Sequence, residues 1–227
     1  MKPELQLLSH GVCLPRHRAL IFSDTHLGYS QVLQNQGLSL PLHPYAHLKA
    51  CIQRMIDAVK PERIIIAGDI KHEFSKNLTQ EWKHVRSLIA FLQTSCKELV
   101  LIRGNHDNYV QTILSRFNLE LVDHYAYDDV FITHGHKPVE TTKFLIFGHE
   151  HPALTLTDEF GVSHTYKCHL LGKNKLVLPS LNPLTFGFDV LSGKKPLSPL
   201  LCDLDELTPV VSGLVFPAIK RMRKNYA

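Results

Sequence analysis

Apolar residues in this chain gather in short runs that stop abruptly at polar motifs. Ala19-Leu20-Ile21-Phe22 ends in Ser23-Asp24, and Ile64-Ile65-Ile66-Ala67 ends in Gly68-Asp69. Leu99-Val100-Leu101-Ile102 runs up to Gly104-Asn105-His106-Asp107, Val130-Phe131-Ile132 to Thr133-His134, and Phe144-Leu145-Ile146-Phe147 to Gly148-His149. Short, continuously apolar runs rich in β-branched residues predict strands buried on both faces. Each run therefore delivers polar residues at the C-terminal end of a strand.

Between the first two runs, Leu48, Ile52, Met55, Ile56 and Val59 recur at helical spacing, and Pro61 ends that helix just before the next strand. Trp82, Val85, Ile89 and Leu92 form a second stripe ahead of the third run. Strands alternating with helices predict an α/β chain with a largely parallel sheet and right-handed crossovers, whose ligands bind beyond the carboxyl ends of the strands. The polar motifs are thus expected to converge. After His151 the pattern changes to segments of strand character, His164 to Leu171 and Lys175 to Leu178, separated by turn signals such as Gly172-Lys173-Asn174, which predicts a second, more antiparallel sheet. Ser30 to Pro44, containing Gly37 and Pro41, reads as a loop that either lines a substrate groove or simply connects.

A chain of 227 residues with 44% hydrophobic and 20% charged content is long and apolar enough for one domain with a substantial core. A single domain over residues 1–227 is expected, with the motifs in 19–151 and a second sheet and basic tail in 152–227. No stretch approaches the roughly 20 apolar residues that span a bilayer, and the N-terminus lacks the features of a signal peptide, so a cytoplasmic protein without membrane association is expected. The cysteines Cys13, Cys51, Cys96, Cys168 and Cys202 are odd in number, scattered and without a C-x-x-C pair, which predicts reduced thiols, several of them core-filling. A net charge of +4 favours an anionic substrate but falls short of a nucleic-acid charge stripe. The basic end, Lys220, Arg221, Arg223 and Lys224, reads either as a track for phosphates or as a solvated terminal run.

The abundance of histidine, 15 residues, is what points to chemistry, because imidazole serves both as metal ligand and as proton donor near neutral pH. A pair of divalent cations needs carboxylate and imidazole ligands, with one carboxylate bridging metals about 3.5–4 Å apart. Asp24-Thr25-His26 offers two such ligands on one side of an extended strand end. Asp69 follows Gly68, whose missing side chain lets the backbone turn close to the metals.

The ordered motifs D-T-H-L-G, G-D-I-K-H, G-N-H-D, T-H-G-H and G-H-E-H resemble those of the calcineurin-like metallophosphoesterase superfamily, from about Ala19 to His151 and more weakly beyond. That resemblance implies a four-layer αββα sandwich of two mixed sheets flanked by helices. It implies Asp24, His26 and His151 as ligands of one metal, Asn105, His134 and His149 as ligands of a second, and Asp69 as the bridge. It further implies His106 as catalytic acid or phosphate-polarising group, with Asp107 orienting its imidazole and raising its basicity. The activity implied is metal-dependent hydrolysis of a phosphoester.

Within the superfamily, D-T-H-L-G, G-D-I-K-H-E-F, I-R-G-N-H-D-N and the segment Leu178 to Leu184 look most like the archaeal phosphoesterases related to the Mre11 and SbcD nucleases. His72, at a position where many relatives carry an acidic residue, is implied on the substrate side of the site; its alternative is a structural residue paired with Glu73. The likeness implies DNA as substrate, manganese as the expected metal with iron, zinc, nickel or cobalt as substitutes, and a DNA-repair ATPase or helicase as the class of protein partner. The sequence offers no segment for a DNA-capping domain or a coiled-coil-binding helix, so a full repair complex is not expected. A small-molecule phosphatase or cyclic-nucleotide phosphodiesterase, and a non-catalytic scaffold, are the rival readings. His136 reads equally as a neighbour of the site or a surface residue, whereas His10, His17, His43, His47, His84, His124, His164 and His169 read as packing or surface residues.

Overall fold

The computed structural model describes residues 2–38, 43–73 and 79–226. In chain order its strands and helices are β1 (Gln6–Leu7), β2 (Gly11–Leu14), β3 (Ala19–Phe22), α1 (Tyr29–Asn35), α2 (Pro44–Val59), β4 (Arg63–Ala67), α3 (Thr79–Ser95), β5 (Glu98–Ile102) and α4 (Gln111–Leu114). There follow β6 (Leu121–Val122), β7 (His124–Ala126), β8 (Val130–Thr133), β9 (Phe144–Phe147), β10 (Pro152–Thr157), β11 (Ser163–Lys167) and β12 (His169–Leu171). The last are β13 (Lys175–Val177), β14 (Phe188–Asp189), β15 (Thr208–Val211), β16 (Leu214–Val215) and α5 (Ile219–Tyr226).

The apolar runs occupy β3, β4, β5, β8 and β9, divided between two sheets. The first has the order β1-β2-β3-β4-β5-β6 and is parallel from β3 onward; the second runs β16-β15-β12-β13-β9-β8-β7 and is mixed. Because side chains alternate along a strand, Ile64 and Ile66 pack with Leu48, Ile52, Val85 and Ile89 of α2 and α3, whereas Ile65 and Ala67 pack with Val130, Ile132 and Ile146 of the second sheet. The far face of that sheet, through Leu145, Phe147 and Val177, is covered by Leu204, Leu207, Ile219 and Met222. Helices, sheet, sheet and a C-terminal helical cover give the expected four layers. A small third sheet, β11-β10-β14, lies beside them.

Two readings of the chain change. The expected loop Ser30 to Pro44 begins as helix α1, whose residues Ser30 to Asn35 are compatible with helix and whose end comes just before Gly37; Pro44 already opens α2, as proline suits a first helical turn, and residues 39–42 lie outside the described set. The expected strand His164 to Leu171 is interrupted at Cys168, and its halves pair in different sheets, β11 with β10 and β12 with β13 and β15. The basic end is neither wholly solvated nor a continuous cationic track: Ile219 and Met222 are core residues, while Lys220 pairs with Glu206 and Arg223 with Asp205. Cys13, Cys51 and Cys168 are buried, and all five thiols are free. No helix among the described residues is long and apolar enough to cross a membrane.

Candidate metal centre

The motifs converge where the two sheets meet. β3 and β4 continue their pairing past the last strand residues through Asp24 N to Gly68 O (3.1 Å), His26 N to Asp69 O (2.9 Å) and Leu27 N to Ile70 O (3.0 Å). Asp24 and His26 do not stand on an extended strand end, however. Their φ angles are 57° and 37°, and Asp69 (51°), His149 (67°) and His151 (50°) share this left-handed conformation, so among the described residues half of the ten non-glycine positions with positive φ are expected ligands. Each such residue costs on the order of 1–3 kcal/mol and persists only where its surroundings impose it, a distribution characteristic of functional sites.

The imposing partner for the first motif is the Ser180 to Asn182 segment. Ser180 Oγ donates to the Asp24 carbonyl (2.9 Å), and Asn182 Nδ2 donates to the carbonyls of Thr25 (2.8 Å) and His26 (2.9 Å). Lys167 Nζ in turn donates to the carbonyls of Ser180 and Asn182 and to Thr185 Oγ1.

With the backbone so held, the donor atoms fall into two groups joined by one carboxylate. His151 Nε2 lies 3.2 Å from Asp24 Oδ1 and 3.1 Å from His26 Nε2. On the other side, His134 Nε2 lies 3.0 Å from Asn105 Oδ1 and 3.3 Å from Asp69 Oδ2, and the ligand atoms of Asp69, His134 and His149 lie within 4.8 Å of one another. Asp69 Oδ2 is also 3.6 Å from His26 Nε2, which sets it between the groups, while its Oδ1 accepts the His106 amide (2.9 Å). His134 Nδ1 donates to the Ala67 carbonyl (3.0 Å), which turns Nε2 toward the centre. Such density leaves no room for extra carbon: a Cβ on Gly104 would collide with Asp69 Oδ1 and its amide, and one on Gly68 with the His134 ring.

The electrostatics suit a cation. Burial alone would raise the Asp24 carboxyl, but the His151 and His134 imidazoles outweigh it and hold the group below its ordinary range; Asp69 is likewise depressed, its burial outweighed chiefly by His134. Burial pushes His26 down to about 3 and His149 to about 4, so both keep a lone pair to donate. His134 moves the other way, to about 9, because Asp69 and Asp24 overcome its burial. Two buried carboxylates that draw a proton onto the imidazole between them define a place for positive charge, and oxygen and nitrogen donors of this kind suit divalent first-row metals.

His106, Asp107 and His72 sit beside this centre with different partners. The His106 Nδ1 donates to the His72 carbonyl (2.5 Å). Asp107 departs from its expected task of orienting that imidazole. Its Oδ2 accepts the amides of Asp69 (3.0 Å) and Gly104 (2.8 Å), and its Oδ1 accepts that of Ile70 (2.8 Å). A carboxylate so surrounded by amides ties two ligand loops together. The His72 ring faces His26, with Nδ1 atoms 3.4 Å apart, and packs between His106 and Tyr29 at centroid distances of 5.3 Å and 4.2 Å. The His136 ring rests against His134 and His149. His17, His84 and His169 serve as packing residues, on Tyr127, on Tyr45 and against the Gly11 carbonyl respectively.

Sequence reasoning passed over several residues that build the site. The fully buried Glu81 accepts the amides of His72 (3.2 Å) and Glu73 (2.9 Å) and lies 3.3 Å from the equally buried Lys71 Nζ. Glu150, between two expected ligands, turns away and accepts the amides of Leu197 (3.1 Å) and Ser198 (2.8 Å). The charged Lys71 within G-D-I-K-H was the one available signal, since a lysine flanked by site residues needs a counter-charge. A cleft of about 500 Å³ opens over the centre, with His72, His106 and His149 among its lining residues and Phe186 and Leu197 at its rim.

The sequence profile of a family described as Calcineurin-like phosphoesterase matches residues 17–205. The structure is similar to the crystal structure of a Pseudomonas putida nuclease, MPE, with a TM-score of 0.68 and 22% identity over 95% of each chain. It is less similar to the E. coli phosphoesterase Yfce, with a TM-score of 0.43 and 17% identity over 88% of this chain and 98% of that one. Among curated proteins none matches.

Proposed function

This chain belongs to the calcineurin-like phosphoesterase family, a family of metal-dependent hydrolases, and on that premise we propose that it is a dinuclear phosphodiesterase acting on nucleic acid, DNA in particular. The observation that carries the dinuclear reading is the place of the Asp69 carboxylate, between His26 and His134, with one donor group on each side. Asp24, His26 and His151 would hold one cation, Asn105, His134 and His149 the other, with Asp69 shared; manganese is the metal we expect. Bound there, the cations supply Lewis acidity, which neutralises charge on the phosphoryl oxygens and makes a nucleophile available at neutral pH.

The chain's own groups do the rest. The Asp107 carboxylate binds the amides of Gly104 and Asp69, so the Asn105 and Asp69 loops keep their spacing as charge builds in the cleft. The His106 Nδ1–H donates to the His72 carbonyl and so orients the ring, and it is the doubly protonated imidazolium form whose Nε2 would give its proton to the leaving oxygen, returning to the neutral Nδ1–H ring. His72, packed between His106 and Tyr29, forms the wall of the cleft on the leaving-group side.

The preference for nucleic acid rests on His72 and on the likeness of the first three motifs to Mre11-related nucleases; the Pseudomonas putida structure, itself a nuclease by description, supports the fold. Incubating the manganese-loaded protein with labelled single-stranded and duplex oligonucleotides and resolving the ladder tests this reading. Cleavage is expected. Hydrolysis of small diesters alongside intact oligonucleotides, under manganese, iron, zinc and cobalt alike, would overturn the polymer reading in favour of a small-molecule phosphodiesterase.

A further inference from the structure

We infer that Phe186, which lines the cleft together with Leu197, is a stacking platform for the nucleobase next to the scissile phosphate, so that the enzyme takes an unstacked nucleotide, as in a single strand or a frayed end. The inference rests on the phosphodiesterase reading of the same cleft and adds to it the part of the substrate that is gripped.

Phe186 is 87% exposed and Leu197 79% exposed, and both line the cleft over the metal centre. Exposure of a large aromatic ring is ordinary on a loose loop, but neither residue sits on one. The Phe186 segment is anchored on both sides: Thr185 Oγ1 donates to Ser180 Oγ (2.7 Å) and accepts from Lys167, and the Phe188 amide donates to the His151 carbonyl (2.8 Å) as β14 pairs with β10. Gly187 between them packs so closely that a Cβ would lie 2.5 Å from the His151 carbonyl oxygen. Leu197 is fixed through its amide by the buried Glu150, whose neighbours are the expected ligands His149 and His151. The same backbone that orders the ligands therefore holds two apolar side chains in water at the cleft's rim.

The composition of the cleft selects the occupant. Its lining combines polar groups, among them Asp69, Asn105, His106 and His149, with the apolar Phe186, Phe188 and Leu197, of which Phe186 and Leu197 are the most exposed. Among the described residues that line it none is lysine or arginine. A ligand with a phosphodiester at one end and a planar, weakly polar ring at the other matches this division, and a nucleotide unit is that ligand. A volume of about 500 Å³ falls in the roughly 300–1,000 Å³ range of sites that enclose one small ligand or one unit of a larger one. A base within a duplex is stacked on its neighbours and cannot also lie on Phe186; a single-stranded base can, and base–aromatic stacking is indifferent to sequence.

The test uses the full-length, manganese-loaded protein, native and with Phe186→Ala or Phe186→Trp, on single-stranded oligonucleotides and the same sequences in duplex. Phe186→Ala is expected to raise KM for single strands roughly 5- to 150-fold, the range that stacking of one base is worth, with kcat within about threefold of native. Phe186→Trp is expected to restore KM, and native protein to favour single strands over duplex interiors. Quenching of 2-aminopurine ribonucleoside 5′-monophosphate fluorescence reads the same contact without turnover: native and Trp proteins quench and the Ala variant does not. Equal KM and equal quenching in native and Ala proteins would overturn the inference. A native protein that quenches the nucleotide yet cleaves no oligonucleotide would overturn the polymer reading and leave the platform standing.

Discussion

Asn182 holds His26 by its backbone: the amide nitrogen of the Asn182 side chain donates to the His26 carbonyl at 2.9 Å and to the Thr25 carbonyl at 2.8 Å. Both peptide oxygens belong to a stretch in which Asp24 and His26 adopt left-handed φ, so the asparagine offsets strain in the first ligand motif. Asn182 is itself buried and lies outside the strands.

Replacing Asn182 with alanine removes three side-chain hydrogen bonds, the two given to the Thr25 and His26 carbonyls and the one its Oδ1 accepts from the Leu184 amide (2.8 Å), at a cost of about 1–3 kcal/mol for each backbone group left unsatisfied. Asn182→Ala should lower stability by roughly 2–4 kcal/mol and weaken metal binding about 10- to 100-fold, as loss of groups that orient ligands commonly does. Urea denaturation and a metal titration measure both. A variant with native metal affinity would show that the His26 geometry is set by the β3–β4 extension alone.

His106 touches the cleft, and although one of its ring nitrogens lies within 4.8 Å of those of His26 and His72, the donor groups Asp24-His26-His151 and Asp69-His134-His149 form without it. His106→Ala should therefore retain two metals per chain by elemental analysis and lose roughly 10²–10⁴-fold in turnover, the range for a positioned proton donor. The loss should shrink with substrates whose leaving group is far less basic than an alkoxide, such as a nitrophenolate, because such a group leaves without a proton. Near-native turnover on an alkyl ester would remove His106 from the reaction.

The fully buried Lys71 and Glu81 give a prediction that separates pairing from burial. Glu81→Ala abandons a buried ammonium and the amides of His72 and Glu73, and should cost about 3–5 kcal/mol. Lys71→Met combined with Glu81→Gln removes both charges but retains a side-chain oxygen for the two amides, and should lie within about 1.5 kcal/mol of native. Chemical denaturation of the single and double variants decides between them. A double variant as unstable as Glu81→Ala would mean that the ion pair itself, and not satisfaction of its members, stabilises the loop.

Much of this candidate site was legible in the sequence because residues able to hold a metal announce themselves by type and order. Asp24, His26, Asp69, Asn105, His134, His149 and His151 stand in strand-end motifs, and β3 and β9 have the limits of the apolar runs that preceded those motifs. What supports the ligands was less legible, for a physical reason. Asn182, Ser180, Glu81, Glu150 and Asp107 act on backbone amides and carbonyls, and a peptide group has no identity in the sequence that could mark it as a partner. Glu81 in the first turn of α3 looks like any solvated acidic residue there, and only the packing of Lys71 and Gly28 against it shows that it is buried. The break at Cys168 is hidden similarly, since Ser163 to Leu171 carries no turn signal and reads as one strand until the different partners of β11 and β12 are known.

His169 supplies a pH dependence remote from the metal centre. Its ring is buried on β12, where Nε2 donates to the Gly11 carbonyl (3.1 Å), and burial, with a smaller contribution from neighbouring His10, pushes it from 6.5 down to about 4. Between those values the unfolded chain binds a proton that the folded chain refuses. Stability therefore rises with pH across the window and is lost as pH falls through it, by up to about 3 kcal/mol for this residue. His10, also lowered to about 4 chiefly by burial, adds to the slope in the same sense. Metal binding also weakens in acid, so the measurement belongs on the metal-free protein, where urea midpoints for native and His169→Gln chains are compared at pH 4.5 and 7.5. Glutamine retains an N–H donor but takes up no proton. Whatever stability the substitution costs at pH 7.5, the variant should lose less on acidification than the native chain, and the difference measures His169 with the other titrating groups cancelled. Equal losses would show that the buried imidazole accepts its proton without unfolding the strand that carries it.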